Sequence, residues 1–294
     1  MSVKPNLGII GIGNWGRNLI RDFSKYGKIT KCTNNGNSKN ISWVKKNYPS
    51  IEYVKNQKEI LNDEKINAVI ISTPIKTHYS LIKKVLLSKK HVFVEKPLCT
   101  NVSDAKELIQ IAKRNNLHLF VGHVFLHHEV FKKIIQINKN ENIKSIHFQW
   151  NKYGTFDEDI FLNLLSHDLS LIISLFGTPT KIQLQNNVGF ITESDFIYLN
   201  LHFKRKSSSI MINRFSSYKK KTVTIKTSKN SYHWDDDVLF KTRRNEKLQK
   251  IFKSKTTPLE NECKNFVKSI SLSKISYESA NLAKDVIQVI KNLK

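Results

Sequence analysis

Three glycines near the start of the chain have a spacing that suits phosphate chemistry. Gly11-Ile12-Gly13-Asn14-Trp15-Gly16 is a complete G-x-G-x-x-G, the turn that holds a dinucleotide when a strand precedes it and a helix follows. Gly11 permits the tight turn, Gly13 lets the backbone approach a pyrophosphate, and Gly16 lets the helix pack close to the strand. The free N–H groups at the helix start, beginning at Asn14 and Trp15, and the helix dipole attract the phosphate charge. Farther along, Lys96 follows an apolar run and precedes Pro97, while Asn163 and His167 lie four residues apart. Histidine exchanges a proton near neutral pH. A positioned acid–base group contributes about 10²–10⁴-fold to a step that needs a proton moved.

The elements needed to position these residues are legible. Residues 7–12 form a short apolar run, as expected of a strand buried on both faces. Trp15, Leu19, Ile20 and Phe23 follow at helical spacing. Strands are expected over 29–33, 68–72, 91–95 and 117–121, and helices over 42–47, 78–88 and 102–114. This alternation predicts a doubly wound parallel sheet, the α/β Rossmann class. After Gly122 the pattern changes to a helix over 129–137, a strand over 143–150 and a longer helix over 159–176. Strands then follow over 181–185, 196–203, 209–215, 223–227 and 232–234, and helices over 259–272 and 278–293. Consecutive strands without helices predict an α+β domain with a large, mainly antiparallel sheet. The expected division is 1–122 for nucleotide binding and 123–294 for substrate binding and oligomerisation. On the helix over 159–176, Asn163 and His167 share a face, and Asp168 lies about 100° away. Asp168 therefore reads as a cap or an ion-pair partner.

In NAD-binding folds an acid about 20 residues beyond the glycines binds the ribose hydroxyls. Here the segment is Thr33-Asn34-Asn35-Gly36-Asn37-Ser38-Lys39, which contains no acid. Asn34 or Asn35 is suited to hydrogen-bond a ribose hydroxyl. Without a carboxylate a 2′-phosphate is not repelled, and Ser38 and Lys39 are placed to help hold one. NAD and NADP both remain open as cofactors; plain turn residues are the alternative reading of the segment.

Composition narrows the field. A chain of 294 residues with 39% hydrophobic and 25% charged residues suits two modest globular domains. No apolar run approaches the roughly 20 residues that span a bilayer. The first residues carry no apolar signal segment, so a reducing cytoplasm is the expected compartment. Cys32, Cys99 and Cys263 are far apart, which speaks against a disulfide framework or zinc site. The net charge of +25 and pI near 9.9 suit nucleic acid in principle. The lysines, however, are scattered as short pairs, and the longest run is Lys219-Lys220-Lys221. Lys, Asn and Ile share A/T-rich codons, so codon bias explains their excess together. No basic stripe interleaves with aromatics as single-strand binders require. The expected partner is a small, anionic molecule, with no nucleic acid and no membrane. No metal site is expected either: His127 and His128 are adjacent on a helix and face different ways, and Asp235-Asp236-Asp237 follows a strand and reads as a turn. Asp159 reads as a helix cap.

Several segments together resemble one family. Ile71-Ser72-Thr73-Pro74 is followed by His78-Tyr79 and then by His91-Val92-Phe93-Val94-Glu95-Lys96-Pro97-Leu98. With Val121-Gly122-His123-Val124-Phe125-Leu126 and Ser166-His167-Asp168-Leu169, these are similar to the Gfo/Idh/MocA family, the glucose–fructose oxidoreductase and inositol dehydrogenase superfamily. Tyr232-His233-Trp234-Asp235-Asp236 and the run from Pro258 to Phe266 resemble late segments of a bacterial sugar or sugar-nucleotide branch. The resemblance covers nearly the whole chain.

It implies hydride transfer between a nicotinamide and a hydroxyl- or keto-bearing carbon of a sugar, cyclitol or sugar nucleotide, in a homo-oligomer built through the open sheet. It maps the family lysine onto Lys96 and the acid–base histidine onto His167. It also implies cofactor contacts from Ser72, Thr73, Pro74, His78, Glu95 and Lys96 beside the glycine turn. The family commonly has an aspartate four residues before the histidine, where this chain has Asn163. Asn163 cannot take a proton but can orient a substrate or His167 by hydrogen bonds. That departure motivates an alternative from a different class, a nucleotide-binding sensor or regulatory protein that does not turn over.

Overall fold

The computed structural model describes residues 4–243 and 246–293. They divide into two compact units. The first comprises the described residues up to His123 together with Leu259–Lys284, and the second comprises Val124–Pro258 and the residues from Asp285 onward.

The first unit runs β1 (Asn6–Ile10), α1 (Asn14–Tyr26), β2 (Lys28–Thr33), α2 (Ser38–Asn47), β3 (Glu52–Tyr53), α3 (Lys58–Leu61), β4 (Ala68–Ile71), α4 (His78–Leu87), β5 (His91–Glu95), α5 (Val102–Arg114) and β6 (Leu119–Gly122). Its six strands are all parallel, in the order β3-β2-β1-β4-β5-β6. Every residue of β4 and of β6 is buried, as helices on both faces demand. The order reverses between β1 and β4, and ligands of such sheets bind outside the strand ends at that switch point. Helix α2 starts four residues before the expected 42, because the Asn37 side chain caps it by accepting the Asn40 N–H at 3.2 Å.

The second unit contains α6 (Glu129–Glu141), β7 (Ile143–Tyr153), α7 (Ser166–Phe176), β8 (Lys181–Val188), β9 (Phe196–Phe203), β10 (Lys206–Asn213), β11 (Phe215–Thr227), β12 (Ser231–Asp235), β13 (Val238–Thr242) and β14 (Gln249–Lys253). The eight strands form one sheet in the order β14-β13-β12-β11-β7-β10-β9-β8. The β7–β10 pairing is parallel and the others are antiparallel. The expectation of a large, mainly antiparallel sheet holds, but it is larger than the sequence pattern indicated. Strands β13 and β14 were not anticipated. The separate expectations for 209–215 and 223–227 give way to β10 ending at Asn213 and to a 13-residue β11 running through Lys219-Lys220-Lys221. Asp236 and Asp237 make the β12–β13 turn, as expected.

The chain ends in α8 (Pro258–Ser271) and α9 (Glu278–Lys291). A single cut after residue 122 does not describe these helices. From Leu259, α8 belongs to the first unit because Phe266 closes an aromatic layer there, with its ring 5.5 Å from both Phe93 and Phe120 and 5.9 Å from Phe23. The start of α9 belongs there too, where the Ser279 hydroxyl accepts the Val121 N–H at 3.0 Å. Among the described residues no helix is long and apolar enough to cross a membrane.

Candidate active site

The glycine turn lies at the switch point of the parallel sheet. The Gly11 N–H donates to Thr33 O and the Ser72 N–H to Ile10 O, which ties the ends of β1, β2 and β4 together. Gly11 has φ +99, and a Cβ there would stand 2.5 Å from Ser72 O. A Cβ on Gly16 would lie 2.3 Å from Gly11 O, so only glycine lets α1 pack this close. The Ser72 hydroxyl donates to Gly11 O at 2.8 Å and braces the same turn.

Gly13 differs from the other two. A Cβ there would meet nothing within 4 Å, and Gly13 is the N-cap of α1 without a side-chain hydrogen bond to the helix start. The open approach and the uncapped N–H groups are the features that a pyrophosphate requires. At the end of β2, Asn34 Nδ2 is buried with no hydrogen-bond partner among the described residues, a donor suited to a ribose hydroxyl. Asn35 beside it is exposed. The residues present therefore fit a nicotinamide dinucleotide.

Arg17 is an unanticipated member of this corner. Its guanidinium bonds Asn40 Oδ1 at 2.5 Å and stacks over Trp43 at 5.0 Å, and its Nε is buried without a partner among the described residues. The signal available in the sequence was its position one residue beyond the glycine motif.

The segment after β4 is held by His78. Its two ring nitrogens bond Pro97 O and Thr73 O, each at 2.8 Å, and the residue is 1% exposed. Burial keeps the imidazole below its usual pKa, and so neutral. It clamps the Thr73-Pro74 segment to the segment carrying Lys96. Thr73 is half-buried and pairs its hydroxyl with that of Thr77 at 2.7 Å, and Pro74 is exposed.

Glu95 ends β5 and Lys96 follows it, with a cis peptide bond from Lys96 to Pro97. The Trp15 indole hydrogen-bonds the Glu95 carboxyl, so the glycine turn and the end of β5 are linked. Burial pushes that carboxyl up to about 7, against the opposing pull of Trp15 and Lys96. Its Oε1 is buried without a hydrogen-bond partner among the described residues.

Asn163 and His167 belong to the second unit. Asn163 sits in a π-helical turn, Phe161–Leu165, that leads into α7, and its N–H donates to Asp159 O at 2.8 Å. Asp159 Oδ1 accepts the Phe161 and Leu162 N–H groups, which is the expected cap. A single π turn inside a helix is frequent at functional sites. The half-buried His167 ring packs edge-on to Phe125 at 5.1 Å and against Trp150 at 5.7 Å.

Behind them, Asp168 is fully buried and ion-paired with Lys221, as its position round the helix predicted. Burial raises the Asp168 carboxyl and lowers the Lys221 ammonium. The Lys221 ammonium also lies 3.7 Å from the Trp150 ring centre and 4.7 Å from that of Phe125. Sequence reading missed Lys221, although its even spacing from Val223 and Ile225 put it on the buried face of β11. Among the described residues no cluster of His, Cys, Asp and Glu could hold a metal.

Comparison with known proteins agrees with this architecture. Residues 5–123 match the model of an oxidoreductase family, GFO_IDH_MocA, described as an NAD-binding Rossmann fold. An uncharacterized oxidoreductase, C115.03 of Schizosaccharomyces pombe, is 28% identical over 185 residues, 56% of this chain and 50% of that protein. The scyllo-inositol 2-dehydrogenase (NADP(+)) IolW of Bacillus subtilis is 29% identical over 154 residues, 47% of this chain and 43% of its own length. The chain thus spans about half the length of these curated relatives. The solved structure of UDP-N-acetylglucosamine 3-dehydrogenase GnnA from Acidithiobacillus ferrooxidans superposes with a TM-score of 0.90 at 18% identity, covering 99% of this chain and 97% of that one. At that identity it demonstrates the fold.

Proposed function

We propose that the chain, whose residues 5–123 match the model of the NAD-binding GFO_IDH_MocA oxidoreductase family, transfers a hydride between NAD(P) and a hydroxyl- or keto-bearing carbon of a sugar, cyclitol or sugar nucleotide. The observation that carries this reading is the juxtaposition in the first unit of an open phosphate cradle at Gly13 with Lys96 at the end of β5, joined by the Trp15–Glu95 hydrogen bond. The bound nicotinamide would supply or accept the hydride. Gly11, Gly13, Asn14, Trp15 and Gly16 hold the pyrophosphate, and Asn34 and Asn35 the ribose. Arg17, with Ser38 and Lys39, supplies the positive corner that favours NADP. Lys96 hydrogen-bonds the reacting oxygen and holds the proton at it. His167 is the second acid–base group, and Asn163 orients it or the substrate. The inositol dehydrogenase relative and the sugar-nucleotide dehydrogenase fold support that substrate class, and a net charge of +25 suits an anionic substrate.

The deciding experiment titrates the protein with NADH and NADPH by nicotinamide fluorescence, then follows oxidation with a panel of keto-sugar nucleotides and ketocyclitols. Binding with turnover is expected, and Lys96→Met should lose turnover by at least about 10²-fold while retaining coenzyme binding. Wild-type turnover in that variant refutes the role of Lys96. Asn163 favours one second reading, a nucleotide-binding sensor. Tight binding with no turnover by the wild type, and turnover gained in Asn163→Asp, would establish it. Half-exposed Phe196, Tyr198 and Asn200 alternate with buried residues along β9, a face suited to a second copy of the chain. Light scattering should report an oligomer.

A further inference from the structure

Side chains two residues apart on a strand share a face. Phe93 and Glu95 on β5 therefore stand in one column, and Phe120 and Gly122 on β6 stand in the column beside it, in the register Phe93↔Phe120 and Glu95↔Gly122. Helix α8 covers both columns through Phe266. Glu262 precedes Phe266 by four residues, so it lies one turn away on the same helix face. It is fully buried, and the charge of Glu95 is felt there. The fourth place in the pattern is Gly122, where a Cβ would stand 3.3 Å from Glu95 Oε1. The phenylalanines fill one half of the layer and two carboxyl groups occupy the other.

Two carboxylates cannot both stay ionised in an apolar layer. The Trp15 indole serves the Glu95 carboxyl, yet Oε1 remains buried with no hydrogen-bond partner among the described residues. A pair that retains one proton resolves this: the O–H of one carboxyl donates to the other, and a single negative charge remains. The aspartic-protease dyad follows the same electrostatic logic.

We propose that Glu262 is a positioning residue for Lys96: it shares one proton with Glu95, and the pair's single negative charge holds the Lys96 ammonium at the end of β5. The inference rests on the role given to Lys96 above. The ionisable surroundings agree with it. Lys96 is the cation that pulls Glu95 down against burial, and burial together with the Glu95 charge raises the Glu262 carboxyl's hold on its proton. On α8 the Cys263 thiol is pushed far up by burial and stays neutral. On α1 Asp22 is already paired with Arg21 and Lys25. Just before β6, His118 packs against Phe266 with burial driving its pKa down to about 4, and His123 follows the strand.

The test is a carboxyl-shift titration of the full chain carrying ¹³C-labelled glutamate. One glutamate should titrate at about 7, and Glu262→Gln should move that midpoint down toward the ordinary value of about 4.3. The acid limb of the kcat/KM profile should move with it, which a merely structural role would not produce. Trp15→Phe, which changes an exposed residue, removes the donor to Glu95 and should move the midpoint up; it serves if Glu262→Gln does not fold. A wild type in which every glutamate titrates in the ordinary range overturns the proposal, as does a midpoint unmoved by these substitutions. Lys96→Met keeps the two claims apart. If it turns over while the shared titration is present, the role of Lys96 fails and the proton sharing stands; if it is inactive and the titration is absent, the proton sharing fails alone.

Discussion

Gly13→Ala separates binding from folding at the glycine turn. Gly13 sits at φ −70 and ψ −170, extended backbone that alanine adopts freely, and its added methyl would meet nothing within 4 Å. The expected change in stability is within about 0.5 kcal/mol, as for a substitution that touches nothing. The methyl would, however, occupy the space over the start of α1 through which a phosphate oxygen must approach. Hydrogen bonds to charged groups contribute about 1.5–3 kcal/mol each, so losing one weakens binding roughly 10- to 100-fold. Gly16→Ala is the contrast: its Cβ would fall 2.3 Å from Gly11 O and 2.9 Å from Ser72 Oγ, so backbone must move and the fold itself suffers. Nicotinamide fluorescence titration and thermal unfolding, run on both variants, read the two effects independently. Gly13→Ala should retain the wild-type Tm and lose affinity, and Gly16→Ala should lose both. Wild-type affinity in Gly13→Ala would refute the assignment of this turn as the pyrophosphate cradle.

Two further outcomes follow from the second unit. Lys221→Met leaves the Asp168 carboxylate buried without its counter-charge, so denaturant unfolding should show a loss of about 3–5 kcal/mol, largely recovered in the double variant with Asp168→Asn; equal losses in the single and double variants would refute the pairing. Asp195 governs acid stability. Burial pushes this carboxyl up, but the N–H groups of Thr192, Phe190 and Ile191 and the Thr192 hydroxyl outweigh it, with Arg214 ion-paired at 2.9 Å, and hold it below the usual carboxylate range. A depressed folded pKa stabilises fully above the unfolded value of about 3.9 and is lost as pH falls through the folded one. Asp195→Asn should therefore be less stable than wild type at neutral pH, with the difference closing below the carboxylate range. A constant difference at all pH values would contradict this.

The parallel sheet was legible because strands buried on both faces are continuous apolar runs, and Ala68–Ile71 and Leu119–Gly122 admit little else. The glycine turn was legible because each glycine answers a separate steric demand. Strand β11 was obscured by charge: Lys219 and Lys220 face solvent, whereas Lys221 turns inward to Asp168, and composition does not distinguish them. Glu262 went unremarked for a related reason. A glutamate on a terminal helix reads as a solvated face until the strand it packs against is known, and Glu95 lies far from it in sequence. The two-sided bonding of His78 was equally hidden, since its partners are backbone carbonyls, which every residue has.

The return of α8 to the first unit bears on the order in which this protein can be made. A ribosome delivers Phe23, Phe93 and Phe120 early, but the ring that seals them belongs to Phe266. Until residues 124–258 have emerged, the nucleotide-binding half is an unfinished shell with an apolar wound, the kind of surface that invites aggregation. N-terminal-first folding, the usual course for tandem domains, is closed to it. A segment translated after residues 124–258 completes the unit that begins before them.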